Sequence, residues 1–396
     1  MTSSVDALAT RLLPSYSRFM AGAAGEVLLT GHSHQAWPDL AREAQLEAWD
    51  DAAHLADRKW SRIFDEILPR YRAQVALRIG STRPADLAIA PNTHELVYRL
   101  LSCFPPNARV VTTDHEFHSL RRQLTRLEED GLRVVRVPAG DGASLAARLA
   151  ETIERERPAL VAISAVLFTT SLWIALDELL ETAARLGIPV LVDAYHAFNV
   201  VPLGVDRWPG QVFVTAGGYK YAQSGEGCCW MLLPRDATAY RPRTSGWFAD
   251  FDGLEAPPSA RVEYGAGGQR FLGATFDPTS YYRALRVMEW MDAQGLSVEI
   301  LRAQSIRQTT ILMERFDALG LADRGLRLAS PRAHPSRGGF VAFEAPEARR
   351  WVGALAARRI RADARESYLR FGPAPYNTSA ELERAMSALA EVAEEC

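Results

Sequence analysis

Only two of the 396 residues carry a lysine amine, Lys59 and Lys220, and every other basic residue among the 45 is an arginine. Arginine does not lose its proton in a protein and is not an amine nucleophile, so Schiff-base chemistry is confined to these two positions. Lys220 has the setting for it. Small residues from Thr215 through Gly217 and Gly218 lead into Tyr219-Lys220-Tyr221, with Gly225 and Gly227 just beyond. Glycines let the backbone approach a bulky ligand, and aromatic neighbours exclude water, which lowers a lysine pKa and frees its lone pair. Upstream, Asp193 ends the apolar run Val190-Leu191-Val192. Ligands of open α/β sheets bind beyond the carboxyl ends of such strands. Taken singly, Asp193 reads as a strand-end cap and Lys220 as a solvated surface lysine. Taken together they supply what pyridoxal 5'-phosphate (PLP) requires, an amine to carry the aldehyde and a carboxylate to keep the ring nitrogen protonated.

The elements that must position this pair follow from hydrophobic patterning. Short β-branched runs predict strands at Leu87–Ala90, Arg109–Thr112, Val134–Val137, Leu160–Ser164, Pro189–Val192, Val212–Thr215 and Cys228–Leu233. Amphipathic stretches at Leu120–Asp130, Leu145–Arg155 and Leu176–Leu186 alternate with them, the pattern of an α/β fold with a mostly parallel seven-stranded sheet. A Gly/Pro-rich stretch, Ala256–Pro278, reads as a boundary. A long helical pattern follows over Thr279–Leu319, then strand-like pieces and a helix from Ser379. The expected division is a large domain over 30–260 and a smaller α+β domain built from 1–29 and 261–396.

Composition narrows the class. A net charge of -3 and 48% hydrophobic residues are ordinary globular values, without the basic excess that marks nucleic-acid or anionic-membrane partners. No apolar run approaches the roughly 20 residues that span a bilayer. The N-terminal stretch has no signal-peptide pattern, and four cysteines (Cys103, Cys228, Cys229, Cys396) form no disulfide framework, so a reducing cytoplasm is the expected compartment.

Asp193-Ala-Tyr-His196, Tyr219-Lys220-Tyr221, Gly246-Trp247-Phe248 and Leu369-Arg370-Phe371-Gly-Pro-Ala-Pro-Tyr376-Asn377 together resemble the class V aminotransferase superfamily of PLP enzymes (fold type I), and within it kynureninases most. The resemblance runs from about Gly31 to Asn377. It implies an enzyme with PLP on Lys220 above Asp193. Asn92 and Thr93 would form the phosphate-binding turn, where helix N-terminal amides suit an anion, although a plain N-cap reads equally well there. Phe117 matches the aromatic that stacks on the pyridine ring, Ser164 a cofactor-contacting serine, and His196 a support near the cofactor's phenolic oxygen or phosphate. Tyr219 and Trp247 match phosphate contacts, and Thr275 one reaching in from a partner subunit. Arg370 matches the arginine that grips the substrate α-carboxylate with a planar fork. Ser33 and His54 match substrate-pocket positions. The resemblance further implies a small amino-acid substrate and a homodimer with its active sites at the interface.

The substrate positions match less well than the cofactor positions. Leu120 stands where kynureninases have an Asp after the stacking aromatic, and no Asn lies near Gly273–Thr275 to face a substrate ring. The histidine pairs His32/His34 and His115/His118 have no further ligand at metal-site spacing, so no metal is expected. Gly265-Ala-Gly-Gly lacks the context of a dinucleotide fingerprint. A cysteine desulfurase needs a mobile nucleophilic cysteine in the C-terminal part, where only Cys396 stands. The favoured reading is an enzyme that forms an external aldimine and an α-carbanion, then cleaves or eliminates at the β-carbon. A class V aminotransferase is the alternative, and a non-catalytic PLP scaffold the third reading.

Overall fold

All seven apolar runs become strands of one sheet in the computed structural model, which describes residues 4–395 except 141, 143, 256, 258 and 259. They are β1 (Leu87–Ala90), β2 (Arg109–Thr113), β3 (Arg133–Val137), β4 (Leu160–Ser164), β5 (Val190–Asp193), β6 (Val212–Ala216) and β7 (Cys229–Leu232), in the order β1-β7-β6-β5-β4-β2-β3. β7 runs antiparallel to both its neighbours, and the other pairs are parallel. Side chains alternate across a strand, so each run feeds two cores. Leu87, Val161, Val190 and Val212 pack on one face, while Ala88, Leu160, Leu191 and Phe213 pack on the other. This explains why the strands read as continuous apolar runs without polar alternation.

The C-terminal part holds a second, antiparallel sheet of β8 (Arg327–Leu328), β9 (Val341–Glu344), β10 (Asp363–Arg365) and β11 (Tyr368–Phe371), ordered β10-β11-β9-β8. Helices Val298–Ala318, Ala348–Ala357 and Ser379–Glu395 back it, closing a core that includes Leu312, Phe316, Phe343, Phe371 and Leu389. Near the N-terminus, Val27–Leu28 pairs in parallel with Ile360–Arg361.

Two expectations need correction. The helical pattern over Thr279–Leu319 is two helices, Thr279–Ala293 and Val298–Ala318, because Gly295 turns left-handed (φ 66°) and Ser297 caps the second. The Gly/Pro-rich stretch is also not a free boundary. The turn Gly267–Phe271 lies along β1 so closely that a Cβ on Gly268 would fall 2.2 Å from the Leu87 carbonyl carbon. Phe271, Tyr281, Leu285 and Met288 consequently pack into the cores of the large sheet, although a division at residue 260 leaves them with the smaller domain. Ala256 and Cys396 lie outside the described residues. Among the described residues, no helix is long and apolar enough to cross a membrane.

Candidate active site

Lys220 lies just after β6, Asp193 ends β5, and Ser164 ends β4, so three adjacent parallel strands deliver the site at one edge. Ser164 and Asp193 are register partners in that ladder. A cleft opens above them, lined among others by Asn92, Thr93, Phe117, Tyr195, His196 and Tyr219. The Lys220 amine is buried, with Nζ 2.9 Å from Nε2 and 3.2 Å from Nδ1 of His196. It lies 4.5 Å from the ring centre of Tyr195 and 5.5 Å from those of Phe117 and Tyr219.

This setting governs protonation. Burial lowers the Lys220 amine to about 7; the Asp193 charge opposes that fall and the Arg370 charge adds to it. Burial raises Asp193, against the Tyr195 backbone N–H that donates to Oδ1 at 2.9 Å. Its Oδ2 makes no hydrogen bond to a described residue. Burial and then the Lys220 charge push His196 well below the ordinary histidine range, so its ring is neutral beside the amine. Burial holds the Tyr219 phenol up at about 12, which keeps it a hydrogen-bond donor.

Asn92 caps the helix Thr93–Leu101, its side chain accepting the Glu95 N–H at 2.9 Å. That fixes the helix end and places Thr93 and His94, its first residues, on the wall of the cleft. Phe117 precedes the helix His118–Glu129 and meets Phe168 edge-on at 5.6 Å. Arg370 is almost fully buried on β11, and its Nη1 donates to the Phe168 carbonyl at 2.5 Å. Ser33 donates to the Thr30 carbonyl in a loop that rests on Tyr219, which accepts the Gln35 N–H at 3.3 Å.

The remaining expected positions stand apart from this cleft. Trp247 is 46% exposed and stacks on Phe248; Thr275 is exposed; His54 is exposed and bonds back to its own helix at Asp50. Conversely, the structure brings in residues that the sequence reading left unassigned. Glu116 is buried behind the cleft, accepting from Thr113 Oγ1 at 2.7 Å, Ser164 N at 3.2 Å and Ser164 Oγ at 2.6 Å. Asp363 and His32 stand beside Arg370. Glu116 adjoins Phe117 in the motif, a signal that was available, whereas the pairing of Asp363 with Arg370 depends on strand register. Among the described residues, no cluster of three or more His, Cys, Asp or Glu could hold a metal ion.

The family model "Aminotransferase class-V" matches residues 48–237, and "Kynureninase C-terminal domain" matches 301–389. An isopenicillin N epimerase of Streptomyces clavuligerus is 30% identical over 311 residues, covering 74% of this chain and 75% of that protein. The chain belongs to the class V aminotransferase family. This class V protein is also similar to the kynureninase of Pseudomonas fluorescens, at 26% identity over 391 residues covering 93% of this chain and 89% of the relative. Its fold matches a cysteine desulfurase from Thermococcus onnurineus NA1 with a TM-score of 0.80 at 18% identity, over 94% of this chain and 96% of that one. The family is PLP-dependent, and PLP is the cofactor of this class V protein.

Proposed function

We propose that the protein is a PLP enzyme acting on a small α-amino acid, with kynureninase-like Cβ–Cγ hydrolysis or β-elimination as its reaction. The observation that carries this reading is the Lys220 amine, buried at the carboxyl edge of the sheet with its pKa lowered to about 7, one strand from Asp193. The cleft suits the cofactor on three counts. Asp193 lines the cleft with a carboxylate oxygen that takes no hydrogen bond from a described residue, matched to a protonated ring nitrogen. The Asn92-capped helix end offers amides to a phosphate. Phe117 and the neutral His196 flank the amine, matched to the faces and edge of a ring.

When bound, PLP supplies an electron sink for the bonding pair released at the substrate α-carbon. The chain does the rest. Lys220 would hold the cofactor through its nitrogen, and its amine would move the substrate α-proton. Asp193 would hold the proton on the ring nitrogen, and Tyr219 would donate to the phosphate. Ser164, the register partner of Asp193, would contact the cofactor beside it, and Arg370 would receive the α-carboxylate. Ser33 would belong to the substrate side through its loop on Tyr219.

Trp247, Thr275 and His54 are outside the cleft of their own chain, which supports a homodimer in which Trp247 and Thr275 serve the partner's phosphate. Trp247 (46% exposed), Phe251 and Leu254 form an exposed apolar face over the aromatic cluster of Phe64 and Phe248, suited to burial against a second copy. A monomer mass in solution overturns this part. Among the described residues Cys103, Cys228 and Cys229 are free thiols, which fits a reducing, cytoplasmic setting.

The aminotransferase reading has its own observation. Leu120 packs into the core with Leu96 and Leu124, so no polar side chain stands where kynureninases place their Asp. A desulfurase is disfavoured because burial raises Cys103 to about 12, Cys228 to about 11 and Cys229 further, so none of the described thiols is a ready nucleophile. Incubating the PLP-loaded protein with a panel of amino acids separates the branches. Alanine as product indicates Cβ–Cγ hydrolysis, and pyruvate with ammonia indicates elimination. An amine form of the cofactor indicates transamination, and an inverted α-carbon epimerisation. Tight PLP retention without turnover indicates a non-catalytic scaffold.

A further inference from the structure

We propose that Asp363 and His32 are the positioning residues of the α-carboxylate site, a fixed brace that aims the Arg370 guanidinium. The inference rests on the reading of Arg370 as the carboxylate-binding residue. Asp363 on β10 and Arg370 on β11 are direct partners in an antiparallel pair, so both side chains rise from the same face. The Asp363 carboxylate takes the side-on fork of the arginine, accepting from Nε at 2.8 Å and from Nη2 at 2.5 Å. With Nη1 donating to the Phe168 carbonyl, each terminal nitrogen keeps one N–H free. Those two donors are what a planar carboxylate can still use.

His32 holds the carboxylate from its other side. Its Nε2 lies 2.8 Å from Asp363 Oδ1, and an ionised carboxylate only accepts, so Nε2 carries the proton. The ring cannot turn away. It is fully buried, stacks on Phe340 at 4.7 Å and lies against Gly372, where a Cβ would come 2.1 Å from Nδ1. Asp363 is likewise held by the ladder, so it does not act as a latch that swings out for substrate. The brace sets the direction of the guanidinium and leaves the arginine charge largely balanced. The site then recognises a carboxylate by the geometry of two N–H groups more than by net charge.

The test uses L-alanine and ethylamine, which share an amine and differ in the carboxylate. Each is titrated against the PLP-loaded protein, and its apparent Kd is read from the cofactor absorbance without turnover. In the wild type L-alanine binds more tightly than ethylamine, and Arg370→Met collapses that preference. Asp363→Asn is expected to cut the preference about tenfold, a loss typical of a removed partner behind a ligating group, with the ethylamine Kd unchanged. His32→Phe, which keeps a ring on Phe340 and removes the donor, is expected to cut it about threefold. If Arg370→Met collapses the preference while Asp363→Asn and His32→Phe leave it within twofold of wild type, the brace is refuted. It is equally refuted if either variant weakens both ligands alike. If Arg370→Met itself leaves the preference intact, the reading of Arg370 fails and the brace with it. Should Asp363→Asn not fold, His32→Phe decides alone by the same comparison.

Discussion

The hydroxyl of Ser164 donates to Oε2 of Glu116 at 2.6 Å, and Glu116 is sealed from solvent. Burial lifts the Glu116 carboxyl from its ordinary 4.5 to about 7; hydrogen bonds from Ser164 and Thr113 oppose the rise, and the Asp193 charge adds to it. A carboxyl with a raised folded pKa binds its proton more tightly when folded than when unfolded. Stability therefore falls as pH climbs between those two values, and the loss is complete above about 7. Its size is on the order of 3 kcal/mol. Glu116→Gln removes this titration, so across pH 5 to 8 the wild type should lose stability relative to the variant in denaturant melts of the PLP-free protein. Parallel curves would show that Glu116 ionises freely in the fold.

Lys220 titrates in the opposite sense. Its amine is lowered to about 7, and only the unprotonated form attacks an aldehyde. Capture of PLP by the PLP-free protein should accelerate as pH rises through about 7 and level off above it, followed by visible absorbance. Lys220→Arg should capture none. Borohydride reduction and peptide mapping of the wild type should place the label on Lys220 alone, and label on Lys59 would overturn the assignment.

Gly217 carries a steric prediction. A Cβ there would lie 2.3 Å from the Tyr195 hydroxyl oxygen and 2.4 Å from Cys229 Sγ, in the packing beneath the Lys220 nitrogen. Gly217→Ala should cost about 1–3 kcal/mol in urea unfolding and speed PLP release, since the tyrosine must shift. An alanine variant with wild-type stability and release rate would show that this packing tolerates a methyl group.

Asn92 separates helix capping from phosphate binding. Asn92→Asp keeps a good cap, so stability should stay within about 0.5 kcal/mol, whereas Asn92→Ala should lose about 1 kcal/mol. The new negative charge at the cleft should nevertheless weaken PLP at least tenfold in equilibrium dialysis. PLP affinity unchanged in Asn92→Asp would move the phosphate elsewhere.

Much of this was legible in the order of residues. The seven strands formed where apolar runs stood; six of them are buried on both faces, which is written locally as hydrophobicity without alternation, and the edge strand β3 is only part-buried. Lys220 was identified by scarcity and by its glycine turn, and Asp193 by ending an apolar strand; both are local signals. The break at Gly295 is equally local, a single left-handed glycine inside a long helical pattern. Other relations had no local trace. Nothing near Arg370 in sequence announces that Asp363 takes its side-on fork, since that depends on which residues a short antiparallel turn sets opposite each other. His32 reaches the same carboxylate from 331 positions away, and Glu116 meets Ser164 across 48. The sequence alone determined the chemical groups and the strands that carry them. Tertiary structure decided their protonation and their aim, because desolvation and hydrogen-bond geometry arise only when distant segments exclude water together.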